Sequence, residues 1–147
     1  MESISRPIAW DTRQPIGPVL VVDDEVMVRV GLCKVLADSG LDTVQAGDGQ
    51  DAVAQYRTRP DAISLVILDA ATPPMGGVEA VRLIRGLNPT AKVILTHRNQ
   101  APASPVQADA VLAKPLTLGV FCDALQKVLK VERRRDPSRL PPPAGNA

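Results

Sequence analysis

Leu65-Val66-Ile67-Leu68-Asp69-Ala70-Ala71-Thr72-Pro73-Pro74-Met75-Gly76-Gly77 opens with four apolar residues in a row and then delivers an acid. A run of that length reads as a strand buried on both faces. Asp69 stands at its C-terminal edge, and the Pro and Gly residues beyond it stop the strand and force a turn. By itself Asp69 would pass for a solvated loop acid or the cap of the next helix. Three other apolar runs, however, each end in a polar residue that could share a site with it.

Upstream, Val19-Leu20-Val21-Val22 runs straight into Asp23-Asp24-Glu25. From Glu25 the apolar period becomes helical, with Val28, Leu32, Val35 and Leu36 on one face and Gly40 as the stop. Thr43-Val44-Gln45-Ala46 suggests a second strand. Asp48 is placed as an N-cap, with Asp51 three residues on. Ala52, Val53 and Tyr56 then face inward until Pro60.

Downstream, Val78, Val81 and Ile84 mark a third helix that stops near Asn88-Pro89. Val93-Ile94-Leu95 is a further buried strand, ending in Thr96 and His97. Pro102 and Pro105 interrupt any helix over residues 97–108. Ala110-Val111-Leu112-Ala113 is a fifth strand, followed by Lys114-Pro115. Thr117 caps a last helix with Leu118, Phe121, Leu125, Val128 and Leu129 as its inner face. Residues 1–17 show no periodicity and read as a disordered leader. The Arg- and Pro-rich residues 132–147 read as a disordered tail.

Short apolar strands alternating with amphipathic helices imply an α/β fold with a parallel sheet covered on both faces. In such sheets, sites form at the carboxyl ends of the strands. Those ends carry Asp23, Asp24, Asp69, Thr96 and Lys114. Three acids a few ångströms apart repel, so a proton or a cation must relieve them. A hard divalent ion with oxygen ligands is the natural solution, and Mg2+ serves with carboxylates and a phosphate. A carboxylate beside such an ion can act as a nucleophile toward phosphorus.

Composition narrows the alternatives. The chain has 147 residues, 45% apolar and 22% charged, with a net charge of +1. That is one domain of ordinary soluble make-up with no field demanding nucleic acid or membrane. Trp10, Tyr56 and Phe121 are its only aromatic residues, too few for a base-stacking platform. No apolar run approaches the ~20 residues of a membrane span. Cys33 and Cys122 lack metal-ligand spacing and read as buried free thiols in a reducing compartment, so a cytoplasmic location is expected.

The chain resembles the receiver domains of bacterial two-component response regulators over about residues 18–131. The matching pieces are Val21-Val22-Asp23-Asp24-Glu25, Arg29, Asp48-Gly49, Leu68-Asp69, Pro73, Gly77, Thr96 and Lys114-Pro115. The resemblance implies a doubly wound, flavodoxin-like five-stranded parallel sheet of order 2-1-3-4-5 with five helices. It implies that Asp69 is the phosphoacceptor and that Asp24 holds Mg2+ directly. Asp23 would act mainly through water, and the Ala71 backbone carbonyl would be a further ligand. Thr96 and Lys114 would read the phosphoryl group. A sensor histidine kinase or a histidine phosphotransfer protein would be the donor, and a downstream protein the target. With about 15 residues after the last helix, no DNA-binding domain is expected; the net charge and the absence of a long apolar run make a membrane partner unexpected, and a homodimer is among the assemblies the resemblance allows.

Two departures stand out. The aromatic residue the family usually carries three positions before the lysine is Val111 here, and the usually small residue after the switch hydroxyl is His97. His97 reads either as an exposed loop residue or as a group narrowing the approach of water. The fourth helix is expected to be short or missing. Besides a phosphorylation-switched module, two readings stand: a receiver-like interaction domain that switches without phosphate, and a Mg2+-dependent phosphatase resembling the haloacid dehalogenases. The latter enzymes want a second acid where this chain has Ala71.

Overall fold

A computed structural model of the protein describes residues 10–11, 16–71, 75–98, 108–130 and 132–133. Five strands, β1 (Val19–Val22), β2 (Thr43–Ala46), β3 (Leu65–Asp69), β4 (Val93–His97) and β5 (Ala110–Ala113), form one parallel sheet of order 2-1-3-4-5. Four helices are described: α1 (Val26–Asp38), α2 (Gly49–Thr58), α3 (Gly77–Leu87) and α4 (Leu118–Leu129). The question of a further helix between β4 and β5 falls on residues 99–107, outside the described set. The leader and tail expectations also fall almost wholly outside it. What is described there is Ile16, packed against the core, Gly17, whose carbonyl accepts from Ser64, and a two-residue antiparallel pairing of Trp10–Asp11 with Glu132–Arg133.

The sheet divides the core in two because alternate strand residues point to opposite faces. Val19, Val21, Leu65, Ile67 and Ile94 meet α1 and α4 on one side. Leu20, Val22, Val66, Leu68, Val93 and Leu95 meet α2 and α3 on the other. The three inner strands β1, β3 and β4 are therefore buried on both faces, which is why their sequences are continuous rather than alternating. The edge strands β2 and β5 are only partly covered.

Helix boundaries follow local chemistry. Asp48 accepts the Asp51 N–H at 2.7 Å and starts α2, and Thr117 accepts the Val120 N–H at 3.2 Å and starts α4. α1 ends at Asp38, and Gly40, just beyond the C-cap Ser39, takes φ +86°, a value that favours glycine. Cys33 and Cys122 are buried free thiols in the α1/α4 core. Burial pushes the Cys33 thiol up, against a hydrogen bond with Thr43 and the charge of Arg29. One expected core residue is misplaced: Leu118 is 54% exposed. It occupies the first turn of α4, above the sheet end, and lines a surface groove instead of the core.

Candidate phosphoacceptor site

Parallel register places the site's parts in a row. Val22 pairs with Leu68, so the next residues, Asp23 and Asp69, leave adjacent strands together. Asp69 pairs with Thr96, and His97 with Ala113, the residue before Lys114. The Lys114 N–H donates to the His97 carbonyl at 2.7 Å, which fixes the lysine's backbone at the strand end. The Lys114–Pro115 peptide is cis.

Asp23, Asp24 and Asp69 each bring a carboxylate oxygen into a group spanning no more than 4.8 Å. Asp23 and Asp69 are buried, and Asp24 is exposed. The Lys114 ammonium, 8% exposed, lies 2.6 Å from Asp23 Oδ2 and 3.1 Å from Asp69 Oδ2. Asp23 Oδ1 accepts the Glu25 N–H at 2.9 Å, and Asp69 Oδ1 accepts the Ala71 N–H at 3.1 Å. Burial raises the Asp23 carboxyl above the ordinary carboxylate range. The hydrogen bond and charge of Lys114 oppose that rise, while Asp69 and Asp24 add to it.

All the expected side chains therefore lie along the carboxyl edge of the sheet. Ala71 is exposed two residues past Asp69 and offers no side-chain acid. Thr96 is buried beside Asp69 in register. His97 ends β4 half-buried, so it is a strand residue and not a loop one. Its Nδ1 has no hydrogen-bond partner among the described residues. Thr72, Pro73 and Pro74 lie outside the described residues.

The loop beyond Asp69 shows why glycine stands at its end. The Gly77 N–H donates to the Ala70 carbonyl at 2.9 Å. A Cβ there would lie 2.7 Å from Ala70 Cα and 2.8 Å from the Asp69 carbonyl oxygen. Only glycine lets α3 begin so close under the acid.

Three charged residues outside the expected phosphoryl and metal set border the site. Arg29 donates to the Asp23 carbonyl at 2.6 Å and to Gln45 Oε1 at 2.9 Å, tying α1 to the loop that carries the acid pair. Glu25 lies 3.9 Å from Lys114 Nζ and forms an ion pair with Arg98. Glu25 was visible as the third acid of a run. Nothing in the spacing of Arg98 marked it, because its contact crosses from β4 to the β1–α1 loop.

The donor set suits a hard divalent cation: carboxylate oxygens only, mutually repelling, two of them buried. Lys114 partly neutralises them but cannot offset three charges.

The model of the response regulator receiver domain matches residues 19–126. The chain belongs to that family. It is 39% identical over 97 residues to the response regulator UvrY of Escherichia coli K12, covering 63% of this chain and 44% of UvrY. It is 30% identical over 119 residues to the chemotaxis protein CheY of Thermotoga maritima, covering 76% of this chain and 97% of that one. Among solved structures, a response regulator receiver protein from Pseudomonas putida superposes with a TM-score of 0.69 at 26% identity, covering 78% of this receiver and 98% of that chain. A CheX–CheY–BeF3–Mg2+ complex from Borrelia burgdorferi also matches, with a TM-score of 0.69 at 26% identity, over 76% of this chain and 88% of that one. The receiver thus spans less than half the length of UvrY and nearly all of the CheY of Thermotoga maritima. Among the described residues, no helix is long and apolar enough to cross a membrane.

Proposed function

We propose that this receiver takes a phosphoryl group on Asp69 from a histidine kinase or a histidine phosphotransfer protein and signals through protein contacts. One observation carries the proposal: a buried acid, Asp69, shares a buried ammonium with a second acid inside a three-carboxylate cluster. A structural cap would need neither the ammonium nor the other acids.

In this reading an Asp69 carboxylate oxygen attacks phosphorus. The bond from phosphorus to the donor's leaving atom breaks, and its electron pair leaves with the donor. Asp69 needs no base, since it reacts as the carboxylate. Asp24 and Asp69 would hold Mg2+ with the Ala71 carbonyl, and Asp23 would act through water. When bound, the ion would neutralise charge on the transferring oxygens. Lys114 stands ready to move from carboxylate to phosphoryl oxygen, as a flexible point charge can. The Thr96 hydroxyl, one strand over, would meet a second oxygen. The solved CheX–CheY complex that carries beryllofluoride and Mg2+ supports this assignment by likeness.

A protein donor is favoured by the surroundings. A groove of about 560 Å3 runs from Lys114 between α1 and α4, walled by Met27, Leu32, Leu118 and Phe121. Met27 and Leu118 are exposed apolar side chains in its wall, which a protein surface can cover.

Intact-mass measurement with acetyl phosphate and Mg2+ tests the proposal. One added phosphoryl group is expected, lost in Asp69→Asn and with chelator. Uptake that survives either change overturns it.

A further inference from the structure

The Glu25–Arg98 ion pair borders the site without belonging to the cluster that would hold the metal. Arg98 follows β4, two residues after Thr96, and shares the groove wall with Lys114. Glu25 lies 3.9 Å from Lys114 Nζ. Its carboxylate thus stands between two cations, one buried and one 59% exposed. An exposed ion pair contributes little to stability, so stability does not account for this arrangement.

We propose that Arg98 is a second cation for the phosphoryl group on Asp69, held back in the resting protein by Glu25. The inference rests on the function proposed above. Converting the Asp69 carboxylate to an acyl phosphate adds one negative charge to the cluster and carries it outward on three oxygens. Lys114 is a point charge and can meet one of them. A guanidinium offers a planar fork suited to phosphate. Phosphoryl and Glu25 then compete for Arg98, and the winner sets which anion the guanidinium meets. That competition is a two-state device. Arg98 would bind the phosphoryl group directly in this scheme, meeting an incoming anionic donor and holding the product without taking part in bond making.

The rate of phosphoryl uptake from acetyl phosphate, followed by intact mass, provides the test. Arg98→Ala should slow uptake about fivefold, the scale of an exposed charge contact, and Arg98→Lys should restore part of the loss. Glu25→Gln should speed uptake, because it frees Arg98. In an Arg98→Ala background the Glu25→Gln gain should shrink toward nothing. A pair that is merely structural would slow uptake in both single variants or in neither, and either outcome overturns the inference. A Glu25→Gln gain that survives undiminished without Arg98 also overturns it, because Glu25 would then act on the donor directly. In the metal-free protein, the Arg98 Nε–H resonance should shift in Glu25→Gln, and an unchanged resonance would show no restraint to release. If wild type takes up phosphoryl normally while these signatures fail, only the role of Arg98 is lost. If wild type takes up none, the proposed function falls and this inference with it.

Discussion

Asp23 and Lys114 are opposite members of one buried contact, and their removal should have opposite effects. Asp23 is 1% exposed and its carboxyl is raised mainly by burial. A carboxyl whose folded pKa exceeds its unfolded value binds its proton more tightly in the native state. Its contribution is then most favourable below the unfolded pKa and is lost as pH climbs through the folded one. Metal-free Asp23→Asn should therefore melt higher than wild type at neutral pH, with the gap narrowing as pH falls through the raised carboxyl's range and levelling off below about 4. Thermal melts across that range, with chelator present, would show it. Lys114→Ala strips the ammonium from two buried acids at once and should cost about 3 kcal/mol of metal-free stability. An Asp23→Asn variant that melts lower than wild type would make Asp23 a structural cap of α1.

Elements end where they do for reasons that can be tested singly. α3 starts under Asp69 because Gly77 has no Cβ to strike Ala70 and the Asp69 carbonyl. Gly77→Ala should force that turn apart at a cost of about 1–3 kcal/mol, typical of an overpacked site. It should also weaken Mg2+ binding, since the displaced backbone carries both Asp69 and Ala71. Urea unfolding and Mg2+ titration by calorimetry read the two effects, and an unchanged Mg2+ affinity would show that the loop and the acid move independently. Gly40, at the end of α1, has open space around its Cβ position but a left-handed φ. The two glycines are thus required for different reasons, contact at one and conformation at the other.

The whole molecule is a sheet with a separate apolar core on each face, and the two should behave as independent contributors. Leu36 lies in the α1/α4 core and Ile84 in the α2/α3 core, both fully buried. Leu36→Ala and Ile84→Ala should each cost about 2–5 kcal/mol. Because they belong to different clusters on opposite faces of the sheet, their costs should add within about 0.5 kcal/mol. Equilibrium denaturation of the double variant tests this, and it must be read with chelator so that the acid cluster is in one state. A large departure from additivity would mean that the sheet transmits strain between the faces.

The strand-helix alternation, the two-faced burial of Leu65–Leu68 and the caps at Asp48 and Thr117 were legible in sequence because each depends on neighbours within a few residues. So were Asp23, Asp69, Thr96 and Lys114, since each directly follows, or ends, an apolar strand and a parallel sheet sends all its strand ends to one edge. Leu118 was misread because helical period alone cannot tell where the sheet beneath a helix stops. The place of Lys114 between Asp23 and Asp69 depended on register across four strands. The meeting of Glu25 with Arg98 joined segments more than seventy residues apart. The same holds for the rise in the Asp23 carboxyl, because desolvation is set by everything packed around a group and not by the residues beside it in the chain.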